Sequence, residues 1–260
     1  MSDAALADVA GFVFDLDGCV WQGERLNPGA AETLAALHAG GRGVAYVTNN
    51  SRATGAEVSA KLRRLGVTPA APALTPLEIL GRVITERYGP SRVLVIGAAE
   101  LAVAVSGAGH AVVQVGDWRR ATVVAVGNDF DLTYERLTAA SRAAAGGAPL
   151  VTPNVDPRLP LEDGDFLPGC GAIVAAVAAA AGVTPVVVGK PATPLFRIAL
   201  QRLGVAPHAA AMVGDSVESD VAGGRAAGMR TVLYAPAGAA ANSADVVVRS
   251  FAELARLAGV

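Results

Sequence analysis

Short runs of apolar and β-branched residues alternate along the chain with longer Ala/Leu-rich stretches whose apolar positions recur at helical spacing. "GFVFD", "GVAYV" and "RVLVI" are runs of the first kind, "AAETLAALHA" and "PLFRIALQRL" stretches of the second. A strand covered on both faces reads as a continuous apolar run, and such strands joined by amphipathic helices form a mostly parallel sheet. The pattern therefore predicts an α/β fold. Strands are expected near 11–15, 43–47, 92–96, 111–115, 122–126, 185–188, 210–213, 230–233 and 245–248. Helices are expected near 28–39, 54–65, 76–88, 99–107, 133–145, 171–181, 193–203, 218–227 and 251–258.

The middle of the chain differs from its ends. From about 75 to 184 a second βα series runs through "RVLVIG" and "TVVAVG" into the Pro/Gly/Asp-rich "TPNVDPRLPLEDGDFLPGCG". Polar groups that interrupt apolar runs without an evident structural need lie outside it. A discontinuous core of residues 1–74 and 185–260, with an inserted domain at 75–184, is the organisation this implies.

Composition narrows the function classes. The 260 residues carry a formal net charge of −2 and no long run of charge, so the basic surface with which nucleic-acid binders follow phosphates is absent. No uncharged apolar stretch reaches the roughly 18 residues of a membrane span. "MSDAALADVAG" lacks the basic and apolar regions of a secretory signal, and a cytoplasmic protein with a small-molecule partner is expected. Cys19 and Cys170 stand far apart without C-x-x-C partners, which argues against a metal or disulfide framework. Of 21 basic residues only Lys61 and Lys190 are lysines. Where the chain departs from its preference for arginine, a compact ammonium rather than a planar fork is called for.

Four apolar runs end in polar groups of complementary chemistry. "FVFDLDG" ends in Asp15 and Asp17; "VAYVTNNS" in Thr48, Asn49 and Asn50; "VVVGKP" in Lys190; and "AAMVGDSVESD" in Asp215, with Asp220 five residues on. Residues i and i+2 of an extended segment point the same way, so Asp15 and Asp17 would project together beyond the C-terminal edge of the sheet, where open α/β folds bind ligands. Each group taken alone also fits a turn, a helix cap or a solvated charge. Taken together, three carboxylates and backbone carbonyls make a hard oxygen site suited to Mg²⁺. A hydroxyl, backbone N–H groups and an ammonium would hold the oxygens of a phosphate.

D-x-D-G after the first strand, Thr-Asn-Asn after the second, Lys-Pro before a helix and G-D-x-x-x-x-D late in the chain resemble, in order, the four motifs of the haloacid dehalogenase superfamily of phosphohydrolases. About thirty residues separate Asp17 from Thr48 and about 140 separate Thr48 from Lys190, so an inserted cap fits only in the second interval. That placement is similar to the type IIA cap subfamily, as are "VGNDFDLTYERL", "TPNVDPRLP" and "PGCGAIV". The resemblance implies a doubly wound, Rossmann-like parallel-sheet core with an inserted α/β cap. It also implies a Mg²⁺-dependent phosphatase acting on a small phosphorylated metabolite through an aspartyl-phosphate, with no nucleic-acid or membrane partner. By the same resemblance Asp15 is the nucleophile and Asp17 the general acid/base. Asp15, the backbone carbonyl of Asp17, and Asp215 hold the metal; Thr48, Asn49 and Lys190 bind the phosphoryl group; Asp220 and Asn50 support them; and Asn154 and Asp156 of the cap meet the substrate. Caps of this type often meet in homodimers. Ser216 and Cys19 stand where relatives commonly carry Arg or Asn and Thr, departures that touch no required carboxylate. Glycerol phosphate, phosphoglycolate, a sugar phosphate or a nucleoside monophosphate would each serve as substrate. A phospho-accepting signalling module without turnover is the alternative. Cys19, two residues after Asp17, is either an inert, small core residue or, if it lines the site, a reactive thiolate.

Overall fold

The computed structural model describes residues 5–160, 165–240 and 243–260. β1 (Gly11–Asp15) leads through a small antiparallel hairpin, β2 (Trp21–Gln22) and β3 (Arg25–Leu26), into α1 (Ala30–Ala39), β4 (Gly43–Val47) and α2 (Gly55–Arg64). A second series follows: α3 (Pro76–Tyr88), β5 (Arg92–Ile96), α4 (Ala99–Gly107), β6 (Ala111–Val113), β7 (Val123–Val126), α5 (Tyr134–Ala145) and β8 (Leu150–Thr152). After the antiparallel pair β9 (Arg158–Pro160) and β10 (Phe166–Pro168) come α6 (Cys170–Ala181) and β11 (Val186–Val187). The chain closes with α7 (Pro194–Leu203), β12 (Ala210–Gly214), α8 (Ala222–Ala226), β13 (Arg230–Tyr234), β14 (Val246–Val248) and α9 (Phe251–Ala258).

These elements fall into two compact units. The first comprises residues 1–48, 55–74 and 190–260, the second residues 49–54 and 75–189. Relative to the division expected from the sequence, the second unit gains 49–54 and extends to Gly189. The reason is local: β11 pairs with β8, and the Gly189 N–H donates to the Pro153 carbonyl at 2.7 Å.

The first unit is built on a parallel sheet of order β14-β13-β12-β1-β4. All five residues of β1 are buried, as befits an inner strand whose two faces are both covered. Phe12 and Phe14 stack with centroids 6.2 Å apart, and Phe14 reaches Phe251 of α9 at 6.3 Å. Each such ring, fully removed from water, contributes about 1.5–3 kcal/mol before the entropy of ordering it is counted. Ser250 starts α9 by accepting the Glu253 N–H at 3.1 Å.

In the second unit the parallel order is β11-β8-β7-β5-β6. Leu94, Ile96, Val124 and Val126 pack with alanines of α5 and with Val174 and Val177 of α6. Small side chains on α5 let it lie close to its neighbours. Thr75 and Thr133 cap α3 and α5 through the N–H groups of Glu78 and Arg136, at 3.3 and 3.2 Å. Among the described residues, no helix is long and apolar enough to cross a membrane.

The helix expected over 218–227 is interrupted. Residues Val217–Val221 form a π-turn before α8, with the Val221 N–H reaching the Ser216 carbonyl at 3.1 Å. The Ser216 N–H also donates to Asp220 Oδ2 at 3.1 Å, which turns that carboxylate back toward the end of β12.

Candidate active site

In a parallel sheet every strand ends on the same edge, and β12, β1 and β4 are neighbours there. Asp15 is the last residue of β1, Thr48 follows β4 and Asp215 follows β12. Lys190 enters from the segment before α7, and Asp220 from the π-turn. Asp15, Asp215 and Asp220 each offer an oxygen within 4.8 Å of the others. Lys190 Nζ donates to Asp15 Oδ1 and, at 2.6 Å, to Asp220 Oδ1. Asp15, Lys190 and Asp220 are 5%, 4% and 1% exposed, whereas Asp215 is open to solvent. One ammonium thus sits between two of three clustered carboxylates, where a guanidinium fork would need more room.

Burial pushes the Asp15 carboxyl up to about 8, with the nearby Asp220 charge adding to the rise and Lys190 opposing it. Burial also works against charge on Lys190, but Asp15 and Asp220 outweigh it, and the ammonium is held above the usual lysine range. Asp215 is raised by partial burial and by Asp220. One ammonium therefore faces three carboxyl groups. Three carboxylate oxygens converge, one ammonium is present, and the donors are hard oxygens on an open edge, a set that fits Mg²⁺.

Two glycines make this convergence feasible. Gly18 has φ +89°, and a Cβ there would lie 2.2 Å from Asp215 Oδ2. At Gly214 a Cβ would lie 2.2 Å from Asp220 Oδ2.

Asp17 is arranged differently from Asp15. Its carboxylate is exposed and stands outside the three-carboxylate group, accepting the Trp21 indole N–H at 2.7 Å on Oδ1 and the Thr48 hydroxyl at 3.4 Å on Oδ2. The carboxylate is thus aimed by two side chains and left available for proton transfer. Trp21 was not singled out in the sequence, although it stands four residues after Asp17 in "DGCVW". Asn27 was missed as well: its amide donates to the carbonyls of Gly18 and Cys19 at 3.0 and 2.5 Å and fixes the loop after β1. Nothing in the sequence marks a lone asparagine as such a brace.

The surroundings of Cys19 decide between its two readings. It is 0% exposed, and burial together with the Asp15, Asp220 and Asp215 charges pushes its thiol well up, so it is a packed core residue and not a reactive thiolate. Asn49 and Asn50 fall with the second unit, and Asn50 Oδ1 accepts the Arg52 N–H at 2.9 Å in a local turn. Asp156 is exposed. Asn154 is 4% exposed, and its amide bonds the segment at Asn49 and Ser51.

Comparison with known proteins bears on the whole chain. Residues 12–111 match the model of the haloacid dehalogenase-like hydrolase family, and residues 187–254 match a second HAD-hydrolase-like model. The glycerol-3-phosphate phosphatase of Homo sapiens is 38% identical over 259 residues, spanning 89% of this chain and 80% of that one. A 4-nitrophenylphosphatase structure from Thermotoga maritima superposes with TM-score 0.86 at 30% identity, covering 98% of this chain and 99% of that one. A glycerol phosphate phosphatase from Mycobacterium tuberculosis, solved in complex with magnesium, gives TM-score 0.84 at 30% identity, with 96% and 78% covered. With family models matched on both flanks and relatives that run through the middle, the resemblance drawn from the four strand ends holds, and the chain belongs to the haloacid dehalogenase-like hydrolase family.

Proposed function

We propose that the protein is a Mg²⁺-dependent phosphatase that hydrolyses a small phosphomonoester through an aspartyl-phosphate on Asp15. The observation that carries this reading is the placement of Lys190 between Asp15 and Asp220, with Asp215 completing an oxygen cluster within 4.8 Å. A nucleophile, a positive charge for the phosphoryl oxygens and donors for a divalent cation are thereby together in one unit. A separately oriented carboxylate, Asp17, stands at the end of the same strand.

In the first half-reaction Asp15 attacks phosphorus, the bond to the leaving oxygen breaks, and Asp17 gives that oxygen its proton. In the second, Asp17 takes a proton from water, the water oxygen attacks the aspartyl-phosphate, and inorganic phosphate leaves with Asp15 restored. Lys190 and the Thr48–Asn49 segment hold the transferring group throughout. When bound, the cation, held by Asp15, Asp215 and the Asp17 carbonyl, neutralises charge on Asp15 and on the phosphoryl oxygens. A signalling module that only holds a phosphoryl group has no need of Asp17 as oriented here.

The names of the relatives favour glycerol phosphate, and p-nitrophenyl phosphate as a surrogate, over the other candidates. A cytoplasmic enzyme whose second unit selects the substrate and meets its counterpart in a homodimer completes the reading. A screen of phosphomonoesters with Mg²⁺, ranked by kcat/KM from released phosphate, tests it. Turnover with at least one small phosphomonoester is expected, highest for glycerol phosphate. The absence of phosphate release from every substrate, including p-nitrophenyl phosphate, would contradict it.

A further inference from the structure

We infer that Asn154 is a positioning residue for the phosphate-binding segment, its buried amide fixing the backbone that follows Thr48; this rests on the phosphatase reading above. The Asn154 side chain donates through Nδ2 to the Asn49 carbonyl at 2.9 Å and to Ser51 Oγ at 3.3 Å, while Oδ1 accepts the Asp156 N–H at 3.3 Å. One face of the amide meets a carbonyl and the other an N–H, so only one orientation of the group satisfies both. The loop carrying it is itself braced, with the Thr152 hydroxyl donating to the Asn154 carbonyl at 2.8 Å. Asn128 Nδ2 reaches Ser51 Oγ at 3.5 Å from a third element.

Packing closes the arrangement. A Cβ at Gly189 would lie 2.6 Å from Asn49 Oδ1 and 2.6 Å from the Pro153 carbonyl, so these three stretches of chain meet with no room for a side chain at 189. Residues 49–51, the loop after β8 and Gly189 thus form one contiguous piece of the second unit. Asn49 is joined to Thr48 by a peptide bond. The orientation of that peptide decides where the Asn49 N–H points, and the Asn154 bond holds the carbonyl at the other end of the same residue. Aspartate at 154 would set a carboxylate oxygen against the Asn49 carbonyl, and alanine would remove the Nδ2 donor that this carbonyl accepts from.

The test is binding of inorganic phosphate with Mg²⁺ by calorimetry, together with kcat and KM for p-nitrophenyl phosphate and glycerol phosphate, in wild type, Asn154→Ala, Asn154→Asp and Ser51→Ala. The two Asn154 variants are expected to bind phosphate about tenfold or more weakly and to lose kcat/KM by the same factor with both substrates. Ser51→Ala, which removes the Oγ that Asn154 and Asn128 both reach and leaves the shorter Asn154–Asn49 contact in place, should show a few-fold loss in the same direction. Phosphate affinity unchanged in Ser51→Ala and in whichever Asn154 variants fold would overturn the inference, even if thermal stability falls. So would a loss confined to glycerol phosphate, which would make Asn154 a residue for the leaving group. Because phosphate binding needs no turnover, wild type that binds phosphate but hydrolyses nothing would sink the phosphatase reading and leave this inference to be decided by the variants.

Discussion

Asp15 and Asp17 lie two residues apart, yet their surroundings are opposite. Asp15 is buried against Lys190 in a cluster of carboxylates, and Asp17 is exposed and held by an indole N–H and a hydroxyl. Such a separation is what a nucleophile and a proton donor acting on one phosphoryl group require. If Asp17 supplies the proton, its value depends on how badly the leaving group needs one. Asp17→Asn is therefore expected to lower the rate of the first half-reaction by about 10²-fold or more with glycerol phosphate and far less with p-nitrophenyl phosphate, as read by pre-steady-state release of the alcohol or phenol. Equal losses with the two would remove Asp17 as the acid. Asp15, Asp17, Thr48, Lys190 and Asp215 were readable as candidates because each stands at or just past the end of an apolar run, where a polar group has no packing reason to be, whereas Asp220 was read only from its spacing after Asp215. Trp21, Asn27 and the bracing role of Asn154 were not, since each acts through a hydrogen bond to a partner that the sequence does not place.

The inner strands were readable for the same physical reason: a continuous apolar run buried on both faces, such as Gly11–Asp15 or Val93–Ile96, has a composition that the amphipathic helices do not imitate. The hairpin Trp21–Gln22 with Arg25–Leu26, and the strands Leu150–Thr152, Arg158–Pro160 and Phe166–Pro168, are two or three residues long and show no period. The π-turn was read as ordinary helix because its cause is the Asp220 side chain bonding the Ser216 N–H, which periodicity does not report. That turn and the end of β12 meet at Gly214, which leads to a prediction. Alanine at 214 would bring a Cβ within 2.2 Å of Asp220 Oδ2, and the carboxylate would have to move off Lys190. Gly214→Ala is expected to cost about 1–3 kcal/mol in stability, as overpacking does, and to lower kcat by about tenfold or more in protein that still folds by circular dichroism. Wild-type kcat in that variant would show that the Lys190–Asp220 pair is not needed where it sits.

Across the whole molecule, the residues proposed for chemistry belong to the first unit, apart from Asn49 and Asn50 on a segment that groups with the second. The sequence suggested an insert between Thr48 and Lys190 but could not show that 49–54 groups with it, because hydrogen bonds from a loop some hundred residues away decide that. The charge of the cluster also has a consequence for the folded protein as a unit. Asp15 titrates at about 8 when folded, through burial, whereas in the unfolded chain it titrates near the ordinary carboxylate value of about 4. Between those values the folded state keeps a proton that the unfolded state has lost, so without metal the Asp15 contribution to stability falls as pH rises through this window and levels off above it. A cation that needs the ionised carboxylate must expel the same proton. Apparent Mg²⁺ affinity, read from the Mg²⁺ dependence of Tm at pH 6, 7 and 8, is therefore expected to rise with pH by up to about tenfold per unit and to flatten beyond pH 8. An affinity independent of pH would contradict the protonated, metal-free Asp15.

The central claim is that Asp15 forms a covalent bond to phosphorus, and the kcat of Asp15→Asn with p-nitrophenyl phosphate and Mg²⁺ tests it most directly. Asparagine preserves the shape of the side chain while removing the attacking oxygen's charge, so folding and phosphate binding should survive and kcat should fall by about 10³-fold or more. A variant that keeps more than a tenth of the wild-type kcat would contradict the account.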